Sequence, residues 1–368
     1  MFDLIDRSSM RVHNFGAGPC TLPLDVLEEV REEFLDFAGS GMSLIELSHR
    51  SPVYEEVHGR ALTLAREVAA APDDFEVLFI QGGATLQFSM VPLNLLVPGR
   101  PAGYVVSGSW GKKAFDNARR HGRAYAAYDG APHGYVRMPE PADIVLEDDT
   151  RYLHVTTNET IGGIRMVRFP EVEVPLVSDM SSEFLARPIE WDRHDLVYGG
   201  VQKNLGPSGM ALVYIRRAAL DARVDGLGDY LDYRFHADSD SLGNTPPMFS
   251  IYVMGKVLER LAEAGGVAAL EQASAHKAEL VYSAIDGSDG FYRNPVERRD
   301  RSHMNVVFRL PSEELEERFV SDSSAAGLIG LKGHRSVGGL RASLYAALDL
   351  ESVERLIEFM SDFRSAHS

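Results

Sequence analysis

Apolar residues recur every three to four positions from Asp25 to Ala38 (DVLEEVREEFLDFA), with acidic residues gathered in the first turns, and this pattern predicts a helix. Tyr54 to Ala71 repeats the signature. The period then changes. Glu76 to Ile80 (EVLFI) is a short apolar run that ends in Gln81-Gly82-Gly83, and a helical stretch opens at Ala84. Tyr104 to Val106, followed by Lys112 to Arg120, gives a second strand–turn–helix. Further short strands are predicted at Tyr152 to Val155, Leu176 to Ser178, Asp195 to Tyr198 and Ala211 to Ile215. Strands alternating with helices predict an α/β fold built on a mostly parallel, doubly wound sheet.

Beyond about Ser250 the character shifts. Two helical segments, Ile251 to Ala264 and Val267 to Ile285, lead to a strand at Asn305 to Leu310. A helix, a Gly-rich loop, a strand at Leu340 to Tyr345 and a last helix from Leu350 follow. The expected division is a large domain over residues 1–250 and a small α/β domain over 251–368, which leaves the N-terminal segment able to pack on the small domain as well.

Composition narrows the function. Lys and Arg total 37 against 54 Asp and Glu, a net charge of −17. A surface that acidic repels nucleic-acid backbones and anionic membranes, so an anionic ligand needs a local basic cluster. The single cysteine, Cys20, excludes a disulfide framework and a cysteine-based metal site, and no metal is expected. Met1 to Arg11 mixes charges and does not read as a signal peptide. No stretch approaches the ~20 apolar residues of a membrane span. A cytoplasmic protein is expected.

Candidate chemistry begins at Val201-Gln202-Lys203-Asn204-Leu205-Gly206-Pro207, where a lysine ends a strand-like run and enters a loop of small residues. On its own this is equally a solvated lysine. Upstream, Leu176-Val177-Ser178-Asp179 puts a carboxylate at another strand end, 24 residues before Lys203. In a parallel sheet both emerge at the carboxyl edge, where ligands bind. Pyridoxal-5′-phosphate (PLP) chemistry needs that pair: an amine to condense with the aldehyde, and a carboxylate to keep the pyridine nitrogen protonated. Gln81-Gly82-Gly83-Ala84-Thr85 sits at a strand-to-helix junction suited to phosphate, without the G-x-G-x-x-G spacing of a dinucleotide site. Gly108-Ser109-Trp110-Gly111-Lys112 fails the P-loop spacing. Trp110 reads either as a ring for stacking on a planar cofactor or as core. The dipeptides His49-Arg50 and His334-Arg335, with Arg341, are the basic sites; together they suffice for a dianion and a carboxylate, and singly each reads as a surface ion pair.

Nine segments carry a resemblance. They are Asn14-Phe15-Gly16-Ala17-Gly18-Pro19, Glu46-Leu47-Ser48-His49-Arg50-Ser51, Gly82-Gly83-Ala84-Thr85-Leu86-Gln87-Phe88, Gly108-Ser109-Trp110 and Asn158-Glu159-Thr160. The others are Ser178-Asp179-Met180-Ser181-Ser182, Gln202-Lys203-Asn204-Leu205-Gly206-Pro207, Asn244-Thr245-Pro246-Pro247 and the run Gly333 to Ser343 (GHRSVGGLRAS). In order and spacing the chain resembles the phosphoserine aminotransferases, fold-type I PLP enzymes, nearly end to end. The resemblance implies that Lys203 carries PLP, Asp179 pairs with the ring nitrogen, Trp110 stacks on the ring and Thr160 contacts its hydroxyl. Ala84, Thr85 and Gln202 would hold the cofactor phosphate, with Asn244 and Thr245 from a second subunit of a homodimer. His334 and Arg335, with His49 and Arg50 of the second subunit, would meet the substrate phosphate, and Arg341 the α-carboxylate. Members that carry Arg where this chain has Thr85 differ at that point. The implied reaction converts O-phospho-L-serine and 2-oxoglutarate to 3-phosphooxypyruvate and L-glutamate, in L-serine biosynthesis. 4-Phosphohydroxy-L-threonine of vitamin B6 synthesis is a further substrate to be considered. The rivals are a transaminase of serine or alanine with glyoxylate, a cysteine-dependent desulfuration through Cys20, and a non-enzymatic PLP-fold binding protein.

Overall fold

The computed structural model describes residues 11–367, so the charge-mixed stretch Met1 to Arg11 lies, but for its last residue, outside them. Seven strands form the central sheet: β1 (Phe75–Gln81), β2 (Ala102–Val106), β3 (Ala124–Asp129), β4 (Leu153–Thr156), β5 (Leu176–Asp179), β6 (Leu196–Gly200) and β7 (Met210–Arg216). Their order in space is β1-β7-β6-β5-β4-β2-β3. Six run in one direction, and β7 is antiparallel to both of its neighbours. The mostly parallel sheet predicted from the strand–helix alternation is present. Strands β4, β5 and β6 are buried at every position, as expected where helices cover both faces.

Helix α1 (Leu24–Glu33) ends before the predicted Ala38, because Asp36 accepts a 2.7 Å hydrogen bond from the Gly41 N–H and Ala38 turns to φ +54°. Helix α2 (Pro52–Ala69) starts with Ser51 accepting from the Tyr54 N–H and Pro52 at its first position. Helices α3 (Gly83–Leu95) and α4 (Ser109–Ala118) follow β1 and β2. Helix α5 (Met248–Glu263) buries Ile251, Met254 and Leu258 in the core of the large sheet. Helix α6 (Gly266–Asp286) gives Val267 to that core and Val281 and Ile285 to a second one. The second core surrounds the antiparallel pair β8 (Asn305–Phe308) and β9 (Leu340–Ser343). Phe15 is fully buried in it, and His13–Asn14 pairs in parallel with Leu328–Ile329.

Because the parallel strands point one way, Gln81, Val106, Thr156, Asp179 and Gly200 all end at the same edge of the sheet. That edge is where an open α/β sheet receives a ligand.

Behind it, Gly199 in β6 lies under the Phe184 ring, and a Cβ there would stand 2.4 Å from the ring. Gly199→Ala is therefore expected to destabilise the chain by about 1–3 kcal/mol through overpacking. Urea unfolding should show a lower midpoint at unchanged slope, and an unchanged midpoint would mean that the ring moves aside freely.

Candidate active site

A cavity of about 530 Å³ opens at the carboxyl edge. Lys203, Asp179, Trp110, Thr160, Ala84, Thr85, Gln202, His334 and Arg341 all line it. Residues scattered over more than 250 positions of sequence are thus gathered: those of the large sheet because its strands terminate side by side, and Arg341 and His334 from β9 and the loop before it.

Lys203 follows β6 and is only 8% exposed. Its Nζ donates to the Thr160 hydroxyl at 2.8 Å and lies 5.4 Å from the centre of the Trp110 ring. Burial pulls the amine down to a pKa of about 8; Asp179 and Glu159 oppose that pull, and Arg341 adds to it. Asp179 is the last residue of β5. Its Oδ1 accepts from the Ser181 N–H at 3.0 Å and the Ser181 hydroxyl at 2.5 Å, whereas Oδ2 accepts no hydrogen bond from the described residues. Burial raises the Asp179 pKa against the lowering effect of those hydrogen bonds and of Lys203.

Glu159 is a functional residue for which the sequence reading assigned no role. It is fully buried, and its two oxygens accept from the Gly111 N–H at 2.7 Å and the Trp110 N–H at 3.0 Å. A carboxylate so placed caps the first turn of α4, where orphan N–H groups and the helix dipole favour negative charge. Burial pushes its pKa up to about 7, against the two N–H groups. Gly108 leaves it room: a Cβ there would stand 2.6 Å from the Glu159 carboxyl carbon. The glycines that failed the P-loop spacing therefore accommodate a buried acid, and through α4 that acid fixes where Trp110 sits. The only sequence signal was Glu159 standing between Asn158 and Thr160 in a matched segment.

At the start of α3, Gly82 takes φ +101° and Gly83 φ +66°, and no side chain caps the helix. Uncapped N–H groups beside a positive-φ glycine pair suit an oxyanion. Arg341 spends one weak hydrogen bond of 3.4 Å on the Thr160 carbonyl, and its buried Nε has no partner. His334 is held below its ordinary pKa by burial and by Arg341 and Arg335, so at neutral pH the positive charge comes from the arginines and not from the imidazole.

Five candidates do not line this cavity: His49, Arg50, Asn244, Thr245 and Arg335. Arg335 is exposed beside His334. The first four belong to two segments that meet each other instead, with the Thr245 hydroxyl 3.2 Å from His49 Nδ1. Cys20, far from the site in sequence, is near it in space: its thiol contacts the Lys203 carbonyl, and Gly18 and Pro19 line the cavity. Burial pushes that thiol up to about 12, which leaves it protonated and unsuited to the nucleophilic role of a desulfurase.

The donor set fits PLP. A buried amine stands ready for the aldehyde, Asp179 Oδ2 is free for a pyridine N–H, and Trp110 offers a ring whose buried Nε1 has no protein partner. The uncapped α3 start suits the phosphate.

Comparison with known proteins agrees. The model of the aminotransferase class-V family matches residues 12–356. The phosphoserine aminotransferase of Lysinibacillus sphaericus (strain C3-41) is 47% identical over 360 residues, which cover 98% of this chain and 99% of that protein. A solved phosphoserine aminotransferase from Bacillus circulans subsp. alkalophilus superposes with a TM-score of 0.95 at 46% identity, covering 98% of this chain and 100% of its own. A PLP-bound phosphoserine aminotransferase from Trichomonas vaginalis gives a TM-score of 0.90 at 36% identity, over 95% of this chain and 100% of that one.

The depressed Lys203 pKa predicts when the amine becomes reactive. In the cofactor-free chain, the rate of reconstitution with PLP should rise with pH through a midpoint near 8 instead of the 10.5 of an ordinary lysine. Asp179→Asn removes a carboxylate that favours the charged amine, so the midpoint should fall further. A midpoint at the ordinary lysine value in the native chain would contradict the burial argument.

Proposed function

The chain belongs to the class-V aminotransferases, and from that premise we propose that it transfers the amino group of O-phospho-L-serine to 2-oxoglutarate, with PLP carried by Lys203. The observation that carries this reading is the convergence of Lys203, Asp179 and Arg341 on one cavity, in a chain similar from end to end to phosphoserine aminotransferases.

PLP, when bound, supplies an aldehyde that accepts the amino group and a protonated ring that withdraws electrons from the substrate Cα. The protein does the rest. Lys203, brought near neutrality by burial, takes the Cα proton and returns it. Asp179 keeps the ring nitrogen protonated, and Trp110, held through α4 by Glu159, covers the ring. Thr160 holds the Lys203 amine and is placed for the ring hydroxyl. Ala84, Thr85 and Gln202 receive the cofactor phosphate. Arg341, with its unpartnered Nε, clamps the α-carboxylate. His334, on the cavity wall, and the exposed Arg335 beside it would meet the substrate phosphate.

His49, Arg50, Asn244 and Thr245 complete the site of a second chain. In support, these residues cluster away from their own cavity. Among the described residues, five exposed large apolar side chains (Leu27, Phe34, Leu35, Met42 and Ile45) crowd the segment that runs into His49 and Arg50. An apolar surface beside anion-binding residues is what a closed two-fold dimer with shared sites buries. No helix of the described residues is long and apolar enough to cross a membrane, and we place the enzyme in the cytoplasm.

Steady-state turnover tests the substrate. Charge-assisted hydrogen bonds contribute roughly 1.5–3 kcal/mol each, so two of them imply a preference for phosphoserine over serine of at least about a hundredfold. Arg335→Ala should erode the preference while leaving cofactor absorbance intact. Equal rates on the two amino acids would favour a transaminase of unphosphorylated substrates. Serine-type specificity without any phosphoserine turnover would do so still more strongly.

Sharing is tested by mixing Lys203→Ala with Arg50→Ala chains, each nearly inactive alone. In a mixed dimer one site carries both lesions and the other neither. Refolding an equimolar mixture should make about half the dimers mixed and restore roughly a quarter of wild-type activity. Activity no higher than the parents', in verified mixed dimers, would place Arg50 in its own chain's site.

A further inference from the structure

A second cavity, of about 680 Å³, is lined by residues of α6, the Arg298–Asp300 turn and the hairpin in which Asn158–Glu159 pairs with Ile164–Arg165. It shares no lining residue with the candidate active site. In a chain of net charge −17 its wall is basic, with four arginines against Glu279 and Asp286.

Most of those arginines are accounted for. Arg299 pairs with Glu140, and Arg298 and Arg301 share Asp286, Arg301 through two hydrogen bonds of 2.8 and 2.9 Å. Arg165 differs. No ion pair joins it to a carboxylate of the described residues: Glu183 meets Arg187 at 2.8 Å through one oxygen and leaves the other buried without a partner, and Glu183 and Glu271 act on Arg165 only from a distance. Its Nη1 meets His303 Nδ1 at 2.9 Å, and its Nε is buried without a partner, as is the Nε of Arg301. Burial and the neighbouring Arg165 and Arg187 hold the His303 pKa down to about 4, so the imidazole is neutral and accepts from Arg165. A largely buried guanidinium whose hydrogen-bonding side-chain partner is a neutral ring, with its carboxylates beyond ion-pair distance, lacks the direct pairing that buried ions ordinarily have.

The geometry points to an oxyanion-binding site at this place: Arg165, with Arg301 and His303 beside it, takes the carboxylate or phosphate group of a small anionic ligand. A guanidinium fork with free N–H groups matches either group. Across the ladder from Arg165 stands Asn158, which lines the active-site cavity and donates to Ser182 and Asn305. The bound anion would therefore sit one strand away from the active-site wall.

The test is histidine-resolved NMR of the full PLP-loaded chain, with the His303 resonance identified by its loss in His303→Gln. Inorganic phosphate and acetate are titrated separately at constant ionic strength. We expect at least one of them to shift the His303 resonance saturably and to raise its pKa. In Arg165→Gln the apparent affinity should fall at least about tenfold, while phosphate still perturbs the cofactor absorbance as in the wild type. A response to phosphate alone assigns a phosphate ligand, and a response to acetate assigns a carboxylate. Should Arg165→Gln fail to bind cofactor, Arg165→Lys keeps the charge without the fork and should bind more weakly than wild type. The site is refuted if neither anion moves His303 saturably at concentrations that perturb the cofactor absorbance. An identical saturable shift in the folded Arg165 variant refutes it as well.

Discussion

Burying an amine at the end of a parallel sheet constrains everything around it. The Lys203 ammonium loses water and must be compensated by charge or by deprotonation, and the structure uses both: Asp179 and Glu159 lie near enough to favour the charged form, while burial still wins and brings the pKa to about 8. The sheet supplies the geometry for this, because β4, β5 and β6 end side by side with Glu159, Asp179 and Lys203 at or just past their last residues. Close packing follows from the same crowding. A Cβ on Gly18, at φ +126°, would stand 3.1 Å from the Lys203 side chain.

Two basic and two acidic side chains thus act on one another here, Lys203 and Arg341 with Asp179 on the cavity wall and Glu159 buried behind it. Glu159 is satisfied by two backbone N–H groups of α4, and Asp179 by Ser181 on one oxygen only. This asymmetry separates their roles. One carboxylate is spent on architecture and fixes Trp110, and the other keeps an oxygen for a ligand. The cysteine shows burial acting on the opposite kind of group: Cys20 lies against the Lys203 backbone, and burial keeps it a protonated, inert thiol.

Short apolar runs ending in small residues made the sheet and the lysine–carboxylate pair legible in the sequence, since strand ends at the carboxyl edge are a local signal. Strand β3 (AYAAYD) was not read from the sequence: it is an edge strand of alanines and tyrosines, without the branched aliphatic residues that mark the other strands. Glu159 escaped because its partners, the N–H groups of Trp110 and Gly111, lie 49 and 48 residues away and belong to a helix that follows a different strand. The basic cavity at Arg165 escaped for the same kind of reason, because its cluster of charge appears only when His303 and Arg301 are brought beside Arg165. Family resemblance supplied the expected roles of His49, Arg50, Asn244 and Thr245, which no pattern along one chain could give.

The account stands on Lys203 as the residue that carries the cofactor, and reductive trapping addresses that directly. Borohydride treatment of the PLP-loaded enzyme converts the labile linkage to a stable secondary amine, and peptide mass spectrometry then locates it. The label is predicted on the peptide containing Gln202-Lys203-Asn204 and on no other lysine. Label on Lys112, Lys113 or the other buried lysine, Lys277, with Lys203 unmodified, would contradict the account.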